Sequence, residues 1–234
     1  LFGYDTAVIS GAVTAIDANF IEPRGLTETA AGTLSGWAIS CALLGCMIGA
    51  LLAGWLASRL GRRGGLLVAA VLFLVSSIGS AYPEMGLGAI GSMGPSALTP
   101  FIVYRILSGV GIGIASMLSP LYIAEIAPPA QRGRLVTYQQ IAIVSGMVLV
   151  YFVNWAIAAQ GDDAWVLSTG WRYMLLSGAI PAGLFLLLLL MVPETPRWLV
   201  MKGRQAEAHG VLLRLSNEIE AREVLTEIEG SLSH

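Results

Sequence analysis

Charge is scarce in this 234-residue chain: Asp, Glu, Lys and Arg together make up 12% of it, about half of what soluble domains carry. With a mean hydropathy of +0.74, that deficit excludes disordered, collagen-like and coiled-coil classes. Neither sign of charge dominates, since 13 basic residues face 15 acidic ones. No basic field exists to hold nucleic acid. Cysteine is nearly absent too. Cys41 and Cys46 lie five apart in one apolar run, which is neither a disulfide framework nor a zinc-ligand spacing. They suit a role as small residues in helix packing. Both histidines, His209 and His234, fall in a polar tail, leaving none for an intramembrane metal or proton relay. No metal and no cofactor are expected. What the chain has in quantity is apolar surface, 56% of its residues. It reads as an integral membrane protein. It begins at Leu1 inside an apolar run, as a fragment with its start cut away would, and not as a signal peptide.

Uncharged stretches mark the spans. Between Glu28 and Arg59 lie 30 residues without charge, Gly64 to Pro83 gives 20, Leu135 to Gly161 gives 27 and Tyr173 to Pro193 gives 21. Each reaches the roughly 20 residues needed to cross about 30 Å of hydrocarbon. A further span, about Leu98 to Ala124, is interrupted by Arg105. The opening run, Leu1 to Ile16, contains Asp5 and reads as the second half of a cut span. Six helices are expected, five of them complete.

Arg and Lys placement sets the orientation. Arg59, Arg62, Arg63, Arg132, Arg134, Arg197, Lys202, Arg204, Arg214 and Arg222 fall on one side; Arg24 and Arg172 fall on the other. Ten against two puts the cut N-terminus and the C-terminal tail in the cytoplasm. Within the tail, Val211, Leu212, Leu215 and Ile219, then Leu225, Ile228 and Leu232, recur at helical spacing among charges. Asn217 followed by Glu220 has the pattern of a capping box. Two short amphipathic helices are expected there, with a solvated tail as the alternative.

Asp5 and Arg105 are the opposite charges placed well inside spans. A charge at mid-bilayer costs at least roughly 2.5–3.5 kcal/mol on insertion scales, so each must face protein or water, and each is the other's natural partner. Gly109 and Gly113 follow Arg105 at a spacing that lets another backbone approach closely. The pair serves either packing alone or a proton switch, because burial favours a neutral carboxyl and a nearby guanidinium favours the carboxylate. Gly109-Val-Gly111-Ile-Gly113 lacks the third-glycine spacing of a dinucleotide loop and lies inside an apolar span. No P-loop, zinc motif or nucleophile elbow is present, so an enzyme is not expected. Gln139 and Gln140 are amides within an apolar run, suited equally to a helix–helix hydrogen bond or to ligand contact.

Three ordered strings carry a resemblance. They are Gly54-Trp-Leu-Ala-Ser-Arg-Leu-Gly-Arg-Arg63, Tyr122-Ile-Ala-Glu-Ile-Ala-Pro followed by Arg132-Gly133, and Pro193-Glu-Thr-Pro-Arg-Trp198. Together with Gly3-Tyr-Asp-Thr-Ala-Val-Ile-Ser-Gly11 and Tyr104-Arg105, they resemble the sugar porter branch of the major facilitator superfamily over nearly the whole chain. The resemblance implies an all-α, six-helix N-terminal half built from 3+3 inverted repeats. Residues 1–200 would form the transmembrane bundle, its first helix truncated, and residues 201–234 a cytoplasmic helical segment. The C-terminal six-helix half, which would share the sugar site, is absent from the sequence.

The same resemblance implies function and site. It points to proton-coupled monosaccharide symport across an inner membrane by alternating access, with a facilitative uniporter or a non-transporting sugar sensor as alternatives. Asp5 would be the proton-linked acid and Arg105 its partner. Gln140 would bond sugar hydroxyls and Phe2 would pack on the ring. Met147 stands where a sugar–proton symporter of the family carries Gln, and a thioether is a poor acceptor. Ser58 stands where many members carry Asp. Arg62, Glu125, Arg132, Glu194 and Arg197 would clamp the inner gate, or else act as orientation signals with ordinary surface pairing. The partners implied are a monosaccharide, a proton, the lipid bilayer and the C-terminal half of the same transporter.

Overall fold

A computed structural model describes residues 1–128 and 131–232; His234 lies outside the described residues. An apolar segment in lipid must satisfy its own backbone groups, and every long uncharged run here is helical. The opening segment is a broken helix: α1 (Phe2–Val8), a 3₁₀ turn at Ile9–Gly11, α2 (Val13–Ile16), then a π turn at Asp17–Ile21 and a 3₁₀ turn at Glu22–Arg24. It therefore runs on to Arg24 and does not stop at Ile16. Asp17 and Glu22 lie in these final turns and do not end the helix.

α3 (Glu28–Ala81) is 54 residues of helix broken at Gly61, whose φ of 86° and ψ of 175° are non-helical. It supplies two spans with a sharp joint between them. Thr27 caps its start by accepting from Ala30 N at 3.4 Å. α4 (Leu98–Ile126) and α5 (Arg132–Ala158) are single long helices. The sixth span begins earlier than its uncharged run. Asp162 caps α6 (Asp163–Trp165) through Trp165 N at 2.8 Å, and the helix continues through a π turn, α7 (Trp171–Ser177) and α8 (Ala179–Met191). Counting charges placed its start at Tyr173. The buried Arg172 is neutralised by Glu84 and so can sit inside the helix.

Glycines bring the helices together. Gly45 and Gly49 on α3 lie against the backbone of Ile106 and Val110, while Gly109 and Gly113 on α4 lie against Ala42 and Cys46. A methyl group at any of the four would overlap a carbonyl of the facing helix. Such close approach maximises dispersion between helices where no hydrophobic drive exists. α5 runs parallel to α1, because Gly3 packs on Ile143, Gly146 on Tyr4, and Asn154 Nδ2 donates to Val8 O at 3.2 Å. Large apolar side chains such as Leu43, Met47 and Leu51 point outward, the inverse of a soluble protein. Among α5 residues with buried side chains are Val150 and Asn154; most of the rest lie open.

The tail folds as three helices: α9 (Pro196–Met201), α10 (Gln205–Leu215) and α11 (Glu218–Leu232). α9 was not expected; its Pro196 occupies the first turn, where a missing N–H costs nothing. Trp198, Leu199, Val200, Ala208 and Val211 form a separate core, with Leu225 and Ile228 packed on it. Asn217 Oδ1 accepts from Ile219 N at 3.1 Å and Glu220 N at 3.0 Å, so the expected cap forms.

Candidate transport site and gate

The broken first span and α4 meet at mid-bundle, bringing Asp5 and Arg105 together. Arg105 Nη1 lies 4.0 Å from Asp5 Oδ2, and both residues are buried. The pairing read from the sequence is therefore present, but at ion-pair distance and without a direct hydrogen bond. Ser108, one turn along α4 from Arg105, donates its hydroxyl to the same Asp5 oxygen. Arg105 Nε is buried with no hydrogen-bond partner. Sequence reasoning missed Ser108; its position three residues beyond Arg105, on the same helix face, was the available signal.

At the end of the bundle carrying the tail helices, the joint at Gly61 creates a carboxylate socket. The positive φ turns the chain so that the amides of Arg62, Arg63 and Gly64 begin a new helix facing Glu194. Glu194 accepts from Arg62 N at 3.0 Å, Arg63 N at 3.1 Å, Gly64 N at 3.4 Å and its own neighbour Thr195 N at 2.9 Å. A negative charge at a helix N-terminus is favoured by the helix dipole as well. A side chain at Gly61 would collide with this carboxylate. Arg62 then turns to Glu125, with Nη2 at 2.7 Å and Nε at 3.1 Å from Oε1, and ties the middle of α3 to the end of α4.

The arrangement joins α3, α4 and the segment after α8 through one cluster. Of the five residues expected in it, Arg62, Glu125 and Glu194 come together. Arg132 is exposed and donates to Ala127 O at 3.1 Å, and Arg197 is exposed on α9. Arg63, not foreseen, belongs to the cluster: it caps the last carbonyls of α8 through Leu189 O at 2.9 Å and Leu190 O at 3.0 Å. Tyr122 Oη donates to Pro193 O at 2.8 Å and Trp198 Nε1 to Ser58 O at 3.3 Å, so all three motif strings converge here.

A cleft of about 740 Å³ opens between α1, α3, α4, α5 and α8, lined among others by Leu1, Phe2, Ser116, Thr137, Gln139 and Gln140. Phe2 and Gln140 thus share one wall. Met147 lies two turns further along α5, against the apolar cluster at the opposite end of the bundle. The parallel α1–α5 register leads from Gly3 beside Ile143 back toward Gln140, Gln139 and Val136. The cleft therefore continues the track of α1 along α5.

At the end away from the tail, Arg172 forms a fork with Glu84 at 3.0 and 3.1 Å and donates to Ala81 O at 2.8 Å. Its guanidinium stacks 4.5 Å from the Trp171 ring centroid. Burial pushes the Glu84 carboxyl up, but the Arg172 hydrogen bonds, its charge and the Gly91 amide outweigh this and hold it below the usual range.

Comparison with known proteins follows this geometry closely. The family model described as "Sugar (and other) transporter" matches residues 1–234. The sequence is 48% identical to the D-xylose-proton symporter of Escherichia coli (strain K12) over 243 residues, covering 100% of this chain and 49% of that protein. It is 45% identical to the glucose facilitated diffusion protein of Zymomonas mobilis, covering 98% and 48%. The structure of the proton:xylose symporter XylE bound to 6-bromo-6-deoxy-D-glucose superposes with a TM-score of 0.97 at 48% identity, covering 100% of this chain and 50% of that one. The chain spans about half the length of the curated relatives it matches, and its fold is that of the N-terminal half of a major-facilitator transporter. With the family model matching from end to end and the helices long and apolar enough to cross a membrane, the chain belongs to the sugar transporter family, as a multi-pass membrane protein.

Proposed function

We propose that this chain is the N-terminal half of a proton-coupled monosaccharide symporter of a bacterial-type inner membrane, working by alternating access with a C-terminal half. The observation that carries the reading is the buried Asp5–Arg105 pair, which joins the first and fourth spans at mid-bundle. On a 3+3 inverted repeat those two helices correspond. Relative motion of the two helices changes the distance between acid and cation, and with it the affinity of Asp5 for a proton. The pentose–proton relatives support symport. The facilitated-diffusion relative supports uniport by the same fold, and the buried acid favours the first. The work is transport, with no catalytic step.

In this reading the tail helices and the arginine-rich loops lie in the cytoplasm. Arg62, Glu125 and Glu194 form the core of an inner gate, extended by Arg132 and Arg197 when the C-terminal half is present. Phe2 and Gln140 line one wall of the sugar path, and Met147, two turns further along α5, supplies apolar contact where an amide would bond a hydroxyl. Asp5→Asn keeps the size of the side chain and fixes it neutral. In the complete transporter in proteoliposomes, this variant is expected to abolish uphill sugar accumulation and sugar-induced proton uptake while equilibrium exchange continues. Accumulation against a gradient by the variant would return Asp5 to a packing role.

A further inference from the structure

Ser108 follows Arg105 by three residues on α4, so both side chains reach toward Asp5 from one helix face. The two compete for a single atom. Ser108 Oγ donates to Asp5 Oδ2, and Arg105 Nη1 stands 4.0 Å from that same oxygen. Ser108 is 1% exposed, Arg105 4% and Asp5 5%, so the three groups meet away from bulk solvent. The hydrogen bond belongs to the hydroxyl, and the guanidinium stands back with its Nε unpartnered.

Few other charged or titratable groups face Asp5. Arg105 comes from α4 and Cys46 from α3. The α5 residues against α1, Ile143, Gly146 and Asn154, carry no charge.

The two donors differ in what they can do when the acid takes up a proton. A guanidinium is a donor alone and suits only the carboxylate; a hydroxyl donates to the carboxylate and accepts from the carboxylic acid. We propose that Ser108 is a positioning residue of the proton switch. It holds the Asp5 carboxylate while Arg105 stands back, and it keeps the side chain in place through both protonation states. This rests on Asp5 being the coupling acid, as proposed above. A hydrogen bond to the charged form is the stronger of the two, so losing the hydroxyl weakens the carboxylate more than the acid.

The test compares Ser108→Ala, Ser108→Cys and Ser108→Thr with the unaltered complete transporter, recording proton-driven uptake and equilibrium exchange across pH. Ser108→Ala removes one oxygen and little volume, so a packing role alone predicts an unchanged profile. The proposal predicts that the half-maximal pH moves upward by about one unit, with sugar affinity unchanged. Ser108→Thr, which keeps the donor, stays with the unaltered protein; Ser108→Cys, a weak donor, moves in the same direction as alanine by less. Should the alanine variant not fold, the cysteine variant carries the test. An unchanged profile in Ser108→Ala, or an equal shift in Ser108→Thr, overturns the proposal. Asp5→Asn in the same assay separates the two readings. If it still accumulates sugar, the coupling assignment falls and this inference with it. If it loses accumulation while Ser108→Ala keeps the normal profile, the Ser108 inference falls alone.

Discussion

Two buried arginine–carboxylate pairs in this chain are built to opposite specifications. Arg172 meets Glu84 through a fork at 3.0 and 3.1 Å, adds a carbonyl at 2.8 Å, and stacks on an indole. Arg105 meets Asp5 at 4.0 Å, with a buried nitrogen unpartnered and a serine holding the carboxylate in its place. A buried pair repays its desolvation only when the geometry is good and the remaining donors are satisfied. By that measure the first pair is a fixed staple between the end of α3 and α7. The second is under-satisfied, which suits the changing distance proposed for it. Burial alone does not distinguish the two pairs; the completeness of their hydrogen bonding does.

The sharpest way to break this comparison is to remove each arginine in turn. Arg172→Met leaves Glu84 buried without its fork and is expected to cost about 3–5 kcal/mol, read as a lower thermal midpoint in detergent. Arg105→Met should cost clearly less, because Asp5 keeps Ser108 and the cation lost is one whose Nε has no hydrogen-bond partner. Equal losses from the two variants would mean that the pairs are built alike. Glu194, a half-buried carboxylate, lies between these cases. Glu194→Gln keeps one acceptor for the amides at the Gly61 joint and loses the charge; about 2 kcal/mol is expected. In the complete transporter, cysteines placed on the side carrying α9–α11 should become more accessible. Unchanged accessibility would reduce the cluster to a topology signal.

A smaller effect follows from pH. The Glu84 carboxyl is held below its ordinary value in the folded state, so its contribution is fully present above about pH 4.3, the unfolded glutamate value. It is lost as pH falls through the lower folded value. The thermal midpoint should therefore fall in acid, and Glu84→Gln should flatten that dependence. An equally steep acid dependence in the variant would move the effect to other carboxylates.

Several of these features were legible before any coordinates. The six spans were readable because lipid tolerates no unpaid backbone groups, so a long uncharged run has one available structure. Their ends were less so. A charge in the sequence looks like the end of a span, yet Asp17, Asp163 and Arg172 all sit within helices. Arg62, Glu125 and Glu194, read from the motif strings, lie together because all three strings converge at the Gly61 joint. Arg132 and Arg197, read from the same strings, stand exposed outside it. Arg63 and Glu84 were missed because nothing local marks either as the partner of a group far along the chain, and Ser108 had only its spacing from Arg105 to mark it.

What the sequence by itself determined is the class of solvent, the number of crossings, the weight of basic residues on one side and the presence of two charges that lipid would reject. Each depends on composition or spacing within a segment, and partition between water and hydrocarbon acts on segments one at a time. The tertiary structure alone decided who holds whom: that Ser108 and not Arg105 bonds Asp5, that Arg172 is a staple, and that Glu194 caps the helix starting at Gly61. Those choices are made over separations of 103, 88 and 132 residues, by glycine-lined contacts that bring helices close enough for one side chain, and not its neighbour, to reach.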